Sequence, residues 1–169
     1  MERQEKLIDE LFPQDVFDRL VGLVKRNYSK FEYNDFFGRY GASTEQWKPL
    51  MPFFARSLPI AREIFGSQTL LPTYALAVHY EGPEAKLVTH TDDNACTYTI
   101  DLSLYKKDQW DLVVEGRPYS LDPNQALAFY GEEQEHWRKD FPNPETNYHG
   151  AVFFHYVEPE HWFFTGEKK

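Results

Sequence analysis

The chain has 169 residues and a formal net charge of −9, from 18 Lys and Arg against 27 Asp and Glu. That length supports one compact core rather than two, and the acidic balance offers no basic patch for phosphates, which argues against nucleic-acid binding. Cys96 is the sole cysteine; it has no intramolecular disulfide partner and points to a reducing, cytoplasmic compartment.

The N-terminal stretch MERQEKLIDELF is charged and lacks the apolar segment of a signal peptide. No run approaches about 18 apolar residues, so no membrane span is expected. Leu7, Ile8 and Leu11 read as a short helical turn that Pro13 interrupts. Val16, Phe17, Leu20, Leu23 and Val24 then recur at i, i+3, i+4 spacing and predict an amphipathic helix. A second helical stretch is predicted from Ser43, where STEQ has the capping-box pattern with Gln46 three residues on. It runs through WKPLMPFFARSLPIAREIFG, kinked at Pro49, Pro52 and Pro59, and stops near Gly66.

After Pro72 the pattern changes to period two. TYALAVHY, KLVTHTD, ACTYTIDLSL, WDLVVEG, RPYSLD, QALAFYG and HGAVFFHYV are short runs of β-formers, most of them separated by Gly, Pro, Asn or Asp. Aromatic residues make up 17% of the chain, with 14 Phe and 11 Tyr, which suits a sheet-built core. Strands following helices predict an α+β, mainly β protein, a sandwich or open barrel with helices on one face.

Six histidines are present: His79, His90, His136, His149, His155 and His161. A single histidine is more often a satisfied core or surface residue than a ligand. His90 and Asp92 are different, because residues i and i+2 of an extended segment share a face and reach one point. H-x-D is a weak motif alone and needs a third ligand from a distant strand. His136 is the natural candidate, just beyond the Gly131 turn in FYGEEQEHW and 46 residues after His90. Two histidines and one carboxylate on one face of a metal leave positions open, an arrangement suited to non-haem Fe(II). Structural zinc would want thiolates, which this chain lacks. The plain alternative is that Asp92 and Asp93 begin a turn and His90 packs at a strand end. Cys96, Trp110 and Trp137 read as core residues, and His161 lies in a tail unrelated to the metal.

At these residues the chain resembles the Fe(II)/2-oxoglutarate-dependent oxygenase superfamily, particularly its prolyl-hydroxylase-like branch. The resemblance runs from the helical N-terminal part through VHYEGPEAKLVTHTDD to LDPNQALAFYGEEQEHW and the closing strand YHGAVFFHYV. It implies that His90, Asp92 and His136 bind the iron. It also implies a double-stranded β-helix (jelly roll) with N-terminal bracing helices: one domain over 1–169, with 1–66 mostly helical support and 70–160 the jelly-roll core. The family's Gly-Asp-Ala run is replaced here by Asn124-Gln125-Ala126.

The cosubstrate pocket departs from the family pattern. An Arg or Lys commonly opens the strand after the distal histidine and grips the far carboxylate of 2-oxoglutarate; here that place falls to His149, thirteen residues after His136. His155 shares its strand face and would line the substrate side. A neutral imidazole is a weak carboxylate anchor, whereas a protonated one, with an ordinary pKa of roughly 6.5, could serve. Arg138 and Lys139 are rival anchors. Tyr80, ten residues before His90, lies where related enzymes place a tyrosine that meets the same carboxylate, though aromatic packing explains it equally well.

The implied activity is hydroxylation, or a related C–H oxidation such as desaturation, with Fe(II), O2 and 2-oxoglutarate, and ascorbate as a candidate accessory. An aspartate at position 92 argues against halogenation, since related halogenases carry a small residue there. The length favours a small molecule, free amino acid or short peptide, prolyl-type substrates included, and leaves substrate identity and oligomeric state open. Two other classes stand beside this one: a jelly-roll iron enzyme that does not use 2-oxoglutarate, and a non-catalytic jelly-roll binding module.

Overall fold

The computed structural model describes residues 4–166, and its first element departs from the helical reading. Leu7 and Ile8 lie in strand β1 (Lys6–Ile8), antiparallel to residues 126–128. The stretch before Pro13 is too short for a stable helix, and pairing at a sheet edge satisfies its backbone instead. The apolar stripe does form helix α1 (Gln14–Asn27), burying Val16, Phe17, Leu20 and Val24. Asp15 in its first turn and Lys25 and Arg26 in its last suit the helix dipole.

Residues 32–43 hold a hairpin with no sequence signal, β2 (Glu32–Asn34) and β3 (Arg39–Ser43). The Asn34 side chain accepts hydrogen bonds from the Phe36 and Phe37 amides at 3.0 and 3.2 Å. Gly38 follows with φ 62°, and a Cβ there would lie 2.1 Å from the Glu84 backbone. Only glycine permits both the left-handed turn and this approach.

Ser43 ends β3 rather than starting a helix. Its amide donates to the Gln46 side chain at 2.9 Å, and the amides of Gln46 and Trp47 donate to its carbonyl, so the capping-box pattern makes a turn. Helix α2 (Met51–Phe65) follows one 3-10 turn, contains Pro59, and closes on Gly66 at φ 68°.

The remaining elements are β4 (Leu71–Glu81), β5 (Tyr98–Lys106), β6 (Leu112–Val114), β7 (Arg117–Tyr119), β8 (Ala126–Phe129), β9 (His136–Arg138), β10 (Tyr148–Val157) and the short helix α3 (Trp162–Thr165). KLVTHTD forms no strand; His90 alone makes an isolated bridge, to His136. Seven strands form one antiparallel sheet in the order β1-β8-β5-β10-β4-β3-β2, and β7-β6-β9 form a second. The protein is thus mainly β, with two sheets, as expected for a jelly roll. Among the described residues no helix is long and apolar enough to cross a membrane.

The large sheet has two unlike faces. Ala75, Ala77, Ile100, Leu102, Leu104, Val152, Phe154 and Tyr156 pack with Phe12 of the N-terminal segment, Phe17 and Leu20 of α1, and Phe53 and Phe54 of α2. The opposite face carries Val78, Tyr80 and Ala151, packed with Trp110. Asn124, at φ 72°, ties the N-terminal segment to this frame. Its side chain accepts from the Phe12 amide at 3.2 Å and donates to the Phe12 carbonyl at 2.8 Å. Asparagine tolerates the left-handed conformation better than most residues, so it can stand where the resembling family has glycine.

Candidate metal centre

His90 and His136 are held together by their main chains. The His90 amide donates to the His136 carbonyl at 3.1 Å, and the His136 amide to the His90 carbonyl at 2.9 Å. The Asp92 amide donates to the Gly131 carbonyl at 2.8 Å. Two backbone links therefore clip 90–92 to the turn and strand that carry the distal histidine. Gly131 is required at this contact, because a Cβ there would sit 2.3 Å from Asp92 Oδ2.

The side chains converge. Asp92 Oδ1 lies 3.3 Å from His90 Nε2 and 3.2 Å from His136 Nε2, and one ligand atom from each residue falls within 4.8 Å of the others. His90 Nδ1 is 2.7 Å from the Val88 carbonyl and His136 Nδ1 is 2.9 Å from the Gln134 carbonyl. A carbonyl only accepts, so each Nδ1 carries a proton; Nε2 then donates to Asp92 when the ring is protonated and turns its lone pair to the same point when the ring is neutral. This backbone support of imidazole ligands is typical of metal sites.

The charges follow. Burial pushes the Asp92 pKa up, but hydrogen bonds from His136 and His90 outweigh it and hold the carboxyl well below its ordinary range. Burial lowers His90, and its contacts with Asp92 and the Val88 carbonyl more than offset this, leaving its pKa raised. An ionised carboxylate between two imidazoles is a ready acceptor for a cation.

A second group, Asp92, Cys96 and His155, also brings its ligand atoms within 4.8 Å. Its chemistry is less suited. Burial pushes the Cys96 thiol well above its ordinary pKa, and His155 Nδ1 is hydrogen-bonded to the Thr99 hydroxyl at 3.0 Å. Burial also takes the His155 pKa down to about 4. Thr99 in turn donates to Asp92 Oδ2 at 3.3 Å, so it steadies the carboxylate.

His90, Asp92 and His136 open into a cavity whose walls include Arg39, Asp101, Phe153 and His155. His155 therefore stands where strand alternation placed it. The anchor candidates are located differently. His149 is fully buried, with its ring 5.4 Å from Trp110 and 6.4 Å from Tyr80, and neither ring nitrogen has a hydrogen-bond partner. Burial, then the nearby Arg138 and Lys106, push its pKa well down. It is a neutral ring outside the cavity lining. Lys139 pairs with Asp111 at 3.1 Å.

Arg138 shares the His136 side of β9, but its Nη1 donates to the Trp110 carbonyl at 2.9 Å and its Nη2 meets Asp101 at 3.3 Å. Its charge is answered inside the protein. Burial raises the Asp101 pKa against the pull of Arg138. Tyr80 is fully buried and its hydroxyl accepts from Arg39 Nη1 at 2.7 Å. Arg39, Thr99 and Asp101 escaped the sequence reading. The available signal for Arg39 was a cation flanked by glycines and aromatics in FFGRYG.

No protein-family description and no curated protein matches this chain in sequence. Solved structures do match in fold. A 2OG-Fe(II) oxygenase family oxidoreductase from Burkholderia pseudomallei superposes with a TM-score of 0.70 at 10% identity, over 93% of this chain and 85% of that one. A Pseudomonas putida prolyl-4-hydroxylase gives 0.68 at 14% identity, over 92% and 93%. The epimerase SnoN from nogalamycin biosynthesis, in complex with Fe3+, alpha ketoglutarate and nogalamycin RO, gives 0.75 at 10% identity, over 92% and 79%.

Proposed function

We propose that this chain, with the fold of the 2OG-Fe(II) oxygenases, is a cytoplasmic Fe(II)- and 2-oxoglutarate-dependent dioxygenase. In this reading it hydroxylates, or otherwise oxidises a C–H bond of, a small molecule, amino acid or prolyl-type substrate. The larger sheet is then the major sheet of a double-stranded β-helix braced by α1 and α2. The observation that carries the proposal is the convergence of Nε2 of His90, Nε2 of His136 and the ionised Asp92 carboxylate on one point. It is supported by fold neighbours whose complexes contain iron and alpha ketoglutarate.

The donor set fits the metal. Both imidazoles are held as Nδ1–H tautomers by main-chain carbonyls, so their lone pairs point inward, and the carboxylate supplies the hard oxygen that Fe(II) tolerates. His90, Asp92 and His136 would hold Fe(II), which supplies the activation of O2 coupled to oxidative decarboxylation of the ketoacid. The chain's own contribution is orientation and enclosure. Thr99 keeps Asp92 from swinging, Gly131 leaves room for its carboxylate, and Phe129 and Phe153 contribute apolar rings to the cavity wall. Substrate choice belongs to that wall and not to the fold.

Anaerobic addition of Fe(II) and then 2-oxoglutarate should produce a weak visible charge-transfer band, and aerobic incubation should release succinate without added substrate. A second reading, a jelly-roll iron enzyme that does not use 2-oxoglutarate, draws on the neutral, buried His149 and on the pairing of Arg138 with Asp101. Iron binding with neither band nor succinate would select it. Absence of metal binding would leave a binding module.

A further inference from the structure

A ketoacid with two carboxylates needs a cation for the end that does not reach the metal. Arg138 is held by the Trp110 carbonyl and Asp101, Lys139 is paired with Asp111, and His149 is uncharged and shut away. Arg39 is different. It is the one Lys or Arg among the described residues lining the cavity that contains His90, Asp92 and His136. Among the described residues no carboxylate forms an ion pair with it. Its hydrogen-bond partner is the Tyr80 hydroxyl.

The guanidinium is also positioned. It lies 4.3 Å from the Phe37 ring centroid, 5.6 Å from Tyr80 and 5.9 Å from Phe153. These rings favour a cation electrostatically and limit its rotamers, while leaving donors free for a planar carboxylate. The hairpin that delivers it is pinned at Gly38 against Glu84, and Arg39 pairs in register with Tyr80.

We infer that Arg39, steadied by the Tyr80 hydroxyl, is the group that binds the far carboxylate of the ketoacid. The cation then comes from β3, beside β4, and not from the strand after the distal histidine. Tyr80 thereby enters the site through Arg39, and the vacancy of charge at His149 is explained: the anchor has moved across β4 to the neighbouring strand.

This assignment rests on the proposed iron and ketoacid site, so the test separates the two. Binding of 2-oxoglutarate and of 2-oxobutanoate, which lacks the far carboxylate, is measured on protein loaded with Mn2+, for wild type, R39Q, R39K and Y80F. Wild type should prefer 2-oxoglutarate by at least about tenfold. R39Q should lose that preference while keeping its affinity for Mn2+ and for 2-oxobutanoate; R39K should recover part of it, and Y80F should weaken it a few-fold. A folded R39Q that binds Mn2+ and still prefers 2-oxoglutarate as wild type does overturns Arg39 alone. Failure of wild type to bind Mn2+ or either ketoacid removes the iron and ketoacid site, and this assignment with it.

Discussion

The two faces of the large sheet are built from the same strands and do opposite things. On the helix-covered face, β4, β5 and β10 present Ala75, Ala77, Ile100, Leu102, Val152, Phe154 and Tyr156, all fully buried and nearly all apolar. One residue along, the same strands present Thr99, Asp101, Ser103 and His155, equally buried and polar. Some of these interior groups are incompletely bonded, among them Asp101 Oδ1 and the Ser103 hydroxyl, as is Nε of Arg138 across from them on β9. Buried polar atoms without partners cost free energy. The contrast teaches that one face stabilises the sheet so that the other can hold chemistry in a dry interior.

The largest expected break in that contrast is at Asp92. Asp92→Ala should abolish Mn2+ or Fe(II) binding by calorimetry, because the two imidazoles lose the charge that completes the set, while the fold survives. Phe154→Ala should act on the other face. Its ring is stacked on Phe54 at 5.9 Å and meets Phe12 edge-on at 6.1 Å, so denaturant unfolding should show a loss of about 3–5 kcal/mol. Metal affinity of the protein still folded should be unchanged. A fall in that affinity would show that the two faces are not separable.

Gly131→Ala sharpens the comparison from the polar side. The added methyl would meet Asp92 Oδ2, and a displaced ligand should cost about 10–100-fold in metal affinity, as disturbed ligand support does elsewhere. Acidity probes the same group without mutation. The His90 pKa is raised, so in metal-free protein its contribution to stability is present below its unfolded value and lost as pH rises through the folded one. The Asp92 pKa is lowered, so its contribution is present above its unfolded value and lost as pH falls through the folded one. Metal-free protein should therefore gain least from this pair in alkali and in strong acid, whereas metal affinity should climb with pH as His90 releases its proton. Thermal unfolding at several pH values, with and without Mn2+, checks both signs. The smallest effect is at Asn124: Asn124→Gly keeps the left-handed backbone but loses both bonds to Phe12, for about 1–2 kcal/mol in denaturant unfolding.

Much of this is legible in the amino-acid sequence. Period-two runs marked the long strands, and the i, i+2 pairing of His90 and Asp92 with a histidine after a glycine turn singled out the ligand candidates. What was not legible depended on distant partners. Leu7 and Ile8 become a strand only because residues 126–128 offer an edge. RYGAS becomes a strand because β4 offers it an edge, and EYN because RYGAS then offers the next one. Ser43 and Gln46 satisfy each other in a turn as well as they would at a helix start. Strand parity puts Arg138 beside His136, but it cannot reveal that Asp101 waits there to pair with it. Nor could local pattern bring Arg39, 41 residues from Tyr80, to its hydroxyl.

The clip between His90 and His136, and that between Asp92 and Gly131, are made by amides and carbonyls. Peptide groups are alike whatever side chains hang from them. Thr91 and Glu135, both exposed, can thus be exchanged with little consequence for where the two imidazoles meet. A site fastened in this manner depends on the course of the main chain more than on the side chains that flank it.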